Sequence, residues 1–273
     1  WSQLQLALAG LDRISEVLAL KSDMAIVPAE QTASTAVMEF DNVSFRYPGG
    51  ADVLKSVSLS LERGKTYALV GPTGGGKTTT ASLMARLYDP TEGTVRLNGK
   101  DIRAYAPEER AEKIGFILQE PFLFTGTVRD NILYGNARHA ALSDEALRQT
   151  LEDAGLSGLL ARFEDGLETK VSASGDAMSL GQKQLIAFIR ATLRNPEILI
   201  LDEATANIDT VTEQLLEEIL DRLPASTTRV IIAHRLNTID NADAIYFVNG
   251  GTVTLAGSME KAVDMLLHGS MQS

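Results

Sequence analysis

The sequence predicts an α/β fold in which a parallel sheet is covered by helices on both faces. Two observations carry this prediction. Buried apolar strands alternate with helical segments along most of the chain, a pattern typical of such sheets. Two of these strands also end in chemically distinctive groups: Tyr67–Val70 runs into a glycine cluster, and Ile198–Leu201 runs into Asp202 and Glu203. Strand ends of this kind are where open α/β sheets bind their ligands.

Composition limits the classes of protein that fit. The 273 residues carry 25 basic and 36 acidic side chains, a net charge of −11, which disfavours general affinity for nucleic acid or anionic lipid. The absence of cysteine excludes disulfides, zinc thiolate sites and thiol catalysis. No apolar run reaches the roughly 18–20 residues of a membrane span, and no signal peptide is evident. The first residue is Trp1, so the sequence reads as part of a longer protein.

The first 35 residues predict a helix followed by a linker. Leucines recur at helical spacing between Leu4 and Leu20, and residues 21–35 are polar and contain Pro28. The helix either packs on its own domain or enters from a preceding one. Further helices are expected at Thr78–Leu87, Ser143–Ala161, Gln182–Leu193 and Thr212–Leu223.

The glycine cluster has the spacing of a phosphate-binding loop. It fits the pattern G-x-x-x-x-G-K-[ST] at every fixed position, between a strand and a helix. Glycines let backbone N–H groups curl around phosphates, and the helix N-terminus adds partial positive charge. Lys77 is expected to neutralise phosphate charge and Thr78 to offer its hydroxyl to Mg²⁺. The predicted nucleotide contacts of the loop are Gly71, Pro72, Thr73, Gly74, Gly75, Gly76, Lys77, Thr78 and Thr79.

The second strand end predicts the hydrolytic groups. Asp202 is expected to hold Mg²⁺ through water, and Glu203 to orient or polarise an attacking water. The alternative is that both carboxylates are merely solvated at the end of a strand.

Together, these motifs resemble the nucleotide-binding domain of ATP-binding cassette (ABC) transporters over about residues 37–260. The resemblance rests on the phosphate loop, Gln119, the segment Ser179-Leu180-Gly181-Gln182, Ile198–Glu203 and His234. It implies a P-loop NTPase core of α/β class, an N-terminal antiparallel β part and a helical subdomain. It also implies ATP and Mg²⁺ as the bound cofactors.

The resemblance assigns roles to residues outside the loop. Tyr47 resembles the aromatic residue that stacks on adenine; alternatively, it is a core tyrosine. Gln119 resembles the glutamine that contacts Mg²⁺ and the attacking water and couples the ATP site to the membrane domain. His234 resembles the histidine that contacts the γ-phosphate. The signature residues Ser179, Gly181 and Gln182 resemble those that reach the γ-phosphate on a partner chain. Asp209 resembles a dimer-contact aspartate.

Two segments are similar to exporter-type members, in which transmembrane helices are fused N-terminal to the ATPase domain. The first is Gln119–Phe124 followed by Thr127–Ile132, and the second is Gly10–Leu18, which resembles the cytoplasmic end of the last such helix. Residues 1–35 are then the helix and linker of a preceding transmembrane domain, and residues 36–273 the nucleotide-binding domain, with the helical subdomain at about 120–193. The expected location is the cytoplasmic face of the cell (inner) membrane, with a fused or associated transmembrane domain and no nucleic-acid partner.

The signature departs from the usual Leu-Ser-Gly-Gly-Gln. Leu180 stands where a glycine is usual, and Ala173 where exporters usually carry a glutamate. Lys77, Gln119, Asp202, Glu203 and His234 all match. The motif residues that bind and hydrolyse ATP within this chain are therefore intact. The signature residues that this chain contributes to the ATP site of a partner are altered. This favours a head-to-tail heterodimer, and a homodimer that tolerates Leu180 is the alternative.

Two other functions compete with an export motor. A soluble ABC-type ATPase acting on nucleic acid or ribosomes is disfavoured by the acidic charge, and by the short helical interval between Gln119 and the signature. A regulator that binds ATP without turnover is disfavoured by Glu203 and His234.

Overall fold

The computed structural model describes residues 2–19, 24–172, 178–202, 210–232, 242–257, 260–261 and 264. Its helices are α1 (Ser2–Ala19), α2 (Lys77–Met84), α3 (Pro107–Lys113), α4 (Val128–Leu133), α5 (Asp144–Asp153), α6 (Ser157–Leu160), α7 (Leu180–Thr192) and α8 (Thr210–Arg222). Its strands are β1 (Ala36–Arg46), β2 (Asp52–Glu62), β3 (Thr66–Val70), β4 (Glu92–Leu97), β5 (Lys100–Asp101), β6 (Ile114–Ile117), β7 (Gly126–Thr127), β8 (Lys170–Val171), β9 (Ile198–Asp202), β10 (Thr228–Ile232), β11 (Ala244–Asn249) and β12 (Thr252–Leu255).

The largest sheet has six strands in the order β12-β11-β3-β10-β9-β6. The pairs β11·β3, β3·β10, β10·β9 and β9·β6 are parallel, and only the edge pair β11·β12 is antiparallel. Every residue of β3 and β9 is buried, as expected for strands covered on both faces. The predicted α/β class is therefore confirmed.

A separate antiparallel sheet precedes and flanks the core, with strand order β2-β1-β4-β5. Its inner face and one face of the parallel sheet share a hydrophobic core that also contains Ala81, Leu83 and Met84 of α2. Helix α2 is thus packed between the two sheets. This arrangement confirms the expected antiparallel β part and holds the start of α2 at the edge of the parallel sheet.

A second core lies on the opposite face of the parallel sheet and contains the apolar sides of α4 to α8. The continuous helix predicted over Ser143–Ala161 is wrong in one respect. It is split into α5 and α6, because Gly155 takes a left-handed conformation (φ +70) that ends α5. The short helices α3 and α4 were not predicted from the sequence; with 7 and 6 residues, they are too short to show a clear apolar period.

The predicted N-terminal helix is present as α1. Its described side chains are exposed, including Leu11 and Leu18. The following linker is tied to the β part by backbone bonds from Val27 N–H to the Arg103 carbonyl and from Thr32 N–H to the Gly99 carbonyl. Among the residues that the structure describes, no helix has the length and apolar character needed to cross a membrane.

Candidate functional site

The phosphate loop joins the buried end of β3 to the start of α2, as predicted. Gly76 caps α2 with a left-handed backbone (φ 112), a conformation that side chains other than glycine rarely adopt. A Cβ on Gly75 would lie 2.7 Å from the Val248 carbonyl oxygen of β11. The loop therefore needs glycine both for its turn and for its close approach to the neighbouring strand.

Lys77 is held inside the curve of this loop. The residue is only 5% exposed, and its Nζ donates hydrogen bonds to the carbonyl oxygens of Gly71 (2.8 Å) and Pro72 (3.1 Å). These bonds satisfy a cation that would be costly to bury without partners. They also fix the ammonium group where the loop amides and the N-terminus of α2 converge, which is the arrangement that binds phosphate.

Two of the three predicted metal ligands meet next to the loop. The Thr78 hydroxyl lies 3.4 Å from Oδ1 of Asp202, although the two residues are 124 positions apart in the sequence. Asp202 is 4% exposed at the end of β9. A hydroxyl and a carboxylate are hard oxygen donors, and Mg²⁺ usually takes only one or two protein ligands beside substrate phosphates. The donor set fits Mg²⁺ bound together with a nucleotide.

The sheet register brings the phosphate loop, Asp202 and the segment that carries Gln119 to the same edge. In β10, Ile232 pairs with Leu69 of β3 and with Asp202 of β9, and Ile117 of β6 pairs with Leu201. The loop, Asp202 and Gln119 thus follow parallel strands that end side by side. Glu203 comes directly after β9, and His234 two residues after β10. Both lie outside the described residues, as do Asp209 and Ala173.

Gln119 is exposed and follows β6, and its backbone carbonyl accepts a hydrogen bond from Nε2 of Gln184 (3.1 Å). Gln184 is 1% exposed in α7, and its Oε1 has no hydrogen-bond partner among the residues that the structure describes. The signature helix is thus bonded directly to the segment that carries Gln119. Sequence analysis did not find Gln184, because a single glutamine in a helix gives no signal of a bond 65 residues away.

Tyr47 lies one residue beyond β1 and is half-buried. Its hydroxyl is 3.1 Å from the hydroxyl of Thr79 in α2, so the expected base-stacking residue and the phosphate-loop helix are in direct contact. Its ring packs edge-on with those of Phe45 (4.9 Å between centroids) and Tyr88 (5.2 Å). Tyr88 is a second residue that sequence analysis missed.

The signature residues form the N-terminus of α7. Ser179 caps the helix: its Oγ accepts from Gln182 N–H, and the Gln182 side chain accepts from Ser179 N–H, both at 3.1 Å. Leu180 is the first helical residue, and Gly181 is buried. Ser179 is exposed.

Comparison with known proteins places this geometry in a family. The sequence profile described as "ABC transporter" matches residues 54–206. The Bacillus subtilis protein YfiC, an uncharacterized ABC transporter ATP-binding protein, is 40% identical over 259 residues, covering 94% of this chain and 42% of the relative. YheH of the same organism, a probable multidrug resistance ABC transporter ATP-binding/permease protein, is 39% identical over 262 residues, covering 96% and 38%.

A solved structure agrees with these relatives. The structure of a bacterial Atm1-family ABC exporter with ATP bound matches this chain with a TM-score of 0.80 and 32% sequence identity. The match covers 98% of this chain and 46% of the exporter chain. The chain thus spans less than half the length of the relatives that it matches. With its fold, phosphate loop and relatives in agreement, the chain belongs to the ABC transporter family and contributes the ATP-binding part of such a protein.

Proposed function

We propose that this chain is the ATP-hydrolysing motor of a membrane exporter. One observation carries the proposal: Lys77, Thr78 and Asp202 converge at one edge of the parallel sheet, in a loop shaped for phosphate. The relatives named as ATP-binding/permease proteins and the ATP-bound exporter support the same assignment. In this proposal ATP closes two such domains on each other, and hydrolysis reopens them.

Some residues of the site bind the nucleotide, and others act in its hydrolysis. The loop from Gly71 to Thr79 holds the phosphates, and Tyr47 stacks on the base. Thr78, Asp202 and Gln119 hold Mg²⁺, which when bound neutralises charge on the phosphates. Glu203 orients the attacking water, and His234 and Lys77 stabilise the charge that develops on the γ-phosphate.

Glu203→Gln tests the assignment of a motor. The change removes the charge that orients water while leaving Lys77 and the loop amides in place. ATP affinity should therefore stay within about twofold, and turnover should fall by a factor on the order of 100 or more. Phosphate release and ATP binding are measured on the same preparation, with Glu164→Gln on the exposed surface as the control. Unchanged phosphate release would show that Glu203 is not the catalytic carboxylate, and no release from the wild type would favour a regulator.

The partner on the membrane side is a transmembrane domain, preceding residues 1–35 in the same chain or associated with it. In this proposal the motor lies on the cytoplasmic face of the cell (inner) membrane. A groove of about 270 Å³ beside Gln119 offers a surface for that domain. Its lining includes Leu118, Phe122, Phe124, Tyr134, Arg190 and Arg194.

The groove combines exposed rings with two arginines, Arg190 and Arg194. Phe122 is 64% exposed, and Phe124 stacks on Tyr134 with ring centroids 4.0 Å apart. Arg190 and Arg194 donate hydrogen bonds to backbone carbonyls, and Arg190 donates a further one to the side-chain oxygen of Asn131. Arg194 also interacts electrostatically with Glu112. Burial, helped by the neighbouring Arg194, lowers the pKa of Arg190 to about 10. A segment with apolar and acidic side chains fits this surface.

Phe122→Ala tests the groove in the full-length protein. Loss of an exposed anchor should reduce substrate transport by about tenfold while ATP binding to the isolated chain stays unchanged. Val211→Ala, also an exposed apolar residue but on α8, is the matched control. Equal transport by the two variants would exclude Phe122 from the contact.

The second ATP-binding domain is proposed to be a different chain. ATP on Lys77 meets the partner's signature, whereas the partner's ATP meets Ser179, Gly181 and Gln182 of this chain. Leu180 places a branched side chain at the first residue of α7, where the backbone has to approach phosphate. The site completed by this chain's signature is therefore the weaker one, and the partner is expected to carry a regular signature and a weakened catalytic carboxylate.

A further inference from the structure

Three aromatic rings form a compact cluster beside the phosphate loop. Tyr47 and Tyr88 are perpendicular (89°) with centroids 5.2 Å apart, and Phe45 lies 4.9 Å from Tyr47 and 5.5 Å from Tyr88. Edge-to-face pairs at these distances are attractive beyond the area they bury. Each ring of the cluster therefore restrains the orientation of the other two.

The members of the cluster differ in burial. Phe45 is 3% exposed and belongs to the core under the antiparallel sheet. Tyr88 is 41% exposed, four residues after the end of α2. Tyr88 is not a member of that core, so packing of the core does not by itself explain a tyrosine at this position.

Tyr47 is held from two sides. Its hydroxyl lies 3.1 Å from the hydroxyl of Thr79 in α2. Its ring contacts the ring of Tyr88, which follows the same helix in the sequence. The hydroxyl group of Tyr47 is thus held by α2, and its ring by a residue four positions beyond the end of α2. A stacking residue held in this way loses less side-chain freedom when a base binds.

We propose that Tyr88 is a positioning residue for nucleobase binding: it holds the ring of Tyr47 in the orientation that stacks on the base of a nucleoside triphosphate. The inference rests on the proposed contact between Tyr47 and the base. Tyr88 acts through Tyr47 and contributes nothing to the phosphate site. Its effect is therefore confined to ligands that carry a base.

The experiment measures binding of Mg-ATP and of Mg-tripolyphosphate to the chain by calorimetry. Tyr88→Ala should weaken ATP binding by about two- to tenfold, the range expected for one edge-to-face pair, and leave tripolyphosphate binding unchanged. Tyr88→Phe keeps the ring and should restore ATP affinity. Leu87→Ala removes a neighbouring side chain of similar exposure (45%) outside the cluster and is the matched control.

A double-mutant comparison distinguishes the positioning role of Tyr88 from the base contact of Tyr47. Tyr47→Ala should weaken ATP binding by itself, and adding Tyr88→Ala to it should produce no further loss. A full further loss in the Tyr47→Ala background, or equal losses for ATP and tripolyphosphate, would overturn the role of Tyr88. Normal ATP binding by Tyr88→Ala together with weak binding by Tyr47→Ala would also overturn it, while leaving the contact of Tyr47 intact. Unchanged ATP binding by Tyr47→Ala would instead refute the base contact itself, and with it the inference.

Discussion

At the scale of single residues, the predicted phosphate site contains a lysine, Lys77, that is both buried and hydrogen-bonded. The ammonium group of Lys77 has two carbonyl partners within the loop, so its charge is satisfied at a position that is nearly closed to water. A compact ammonium fits between two carbonyl oxygens that are only one residue apart. A planar guanidinium has a different shape and a fixed fork of donors.

Lys77→Arg should therefore weaken ATP binding although the positive charge is kept. The larger group cannot occupy the space between Gly71 and Pro72 without displacing the loop, and we expect ATP affinity to fall at least about tenfold. Calorimetry with Mg-ATP measures the loss, and Lys170→Arg on the exposed surface is the control. Wild-type affinity in Lys77→Arg would mean that charge alone, not shape, determines binding.

At the scale of secondary-structure elements, a carboxylate before β9 connects the two sheets. Glu197 accepts hydrogen bonds from Lys113 at the end of α3, from Arg63 after β2 and from Asn98 after β4. Burial by itself raises the pKa of Glu197, but these three bonds outweigh it and lower the pKa from 4.5 to about 2. The strand that carries Asp202 is thus anchored at its start by a charged network.

Glu197→Gln should destabilise the fold in a pH-dependent way. Because the folded-state pKa is depressed, the contribution of the carboxylate is present above about pH 4.5 and is lost as the pH falls towards 2. At pH 7 the variant should lose about 1–2 kcal/mol of unfolding free energy, since the network is partly exposed to solvent. Urea unfolding at pH 7 and pH 3 measures the effect, and the two proteins should differ less at pH 3.

The matched control for this network is an exposed ion pair. Asp144 pairs with Arg129 at 2.7 Å, but the Asp144 side chain is 51% exposed. Asp144→Asn should therefore cost about 0.5 kcal/mol or less. An equal loss for Glu197→Gln at pH 7 and pH 3 would rule out the charge as the cause.

At the scale of the whole molecule, the phosphate loop and the proposed signature belong to different elements. The phosphate loop joins β3 to α2 at one edge of the parallel sheet, and the proposed signature lies at the start of α7. In the proposed function, one chain therefore offers two half-sites. In a heterodimer their chemistry is expected to be unequal.

Reconstitution of the full transporter tests this asymmetry. Glu203→Gln in this chain should reduce turnover on the order of 100-fold, whereas the equivalent change in the partner should alter it by about twofold or less. Leu180→Gly in this chain should raise hydrolysis at the second site only if the partner has a competent carboxylate. Brisk hydrolysis by a homodimer of this chain would show that Leu180 is tolerated and that the asymmetry is absent.

Much of the fold and of the site could be predicted from local sequence. The phosphate loop, the apolar strands β3 and β9 and the cap of α7 are each defined within about ten consecutive residues, because their backbone conformations depend on near neighbours. Gly155 shows the limit: a single left-handed residue divided a segment whose apolar spacing was continuous.

The sequence by itself determined the α/β class and the family, and it predicted which residues form the site. Only the tertiary structure decided that Thr78 meets Asp202, that Gln184 bonds to Gln119 and that Tyr88 packs on Tyr47. These contacts join residues 124, 65 and 41 positions apart. They arise because parallel strands bring distant carboxyl ends to one edge, and because close packing between the two sheets sets the position of α2. Neither effect is encoded in the spacing of neighbouring residues.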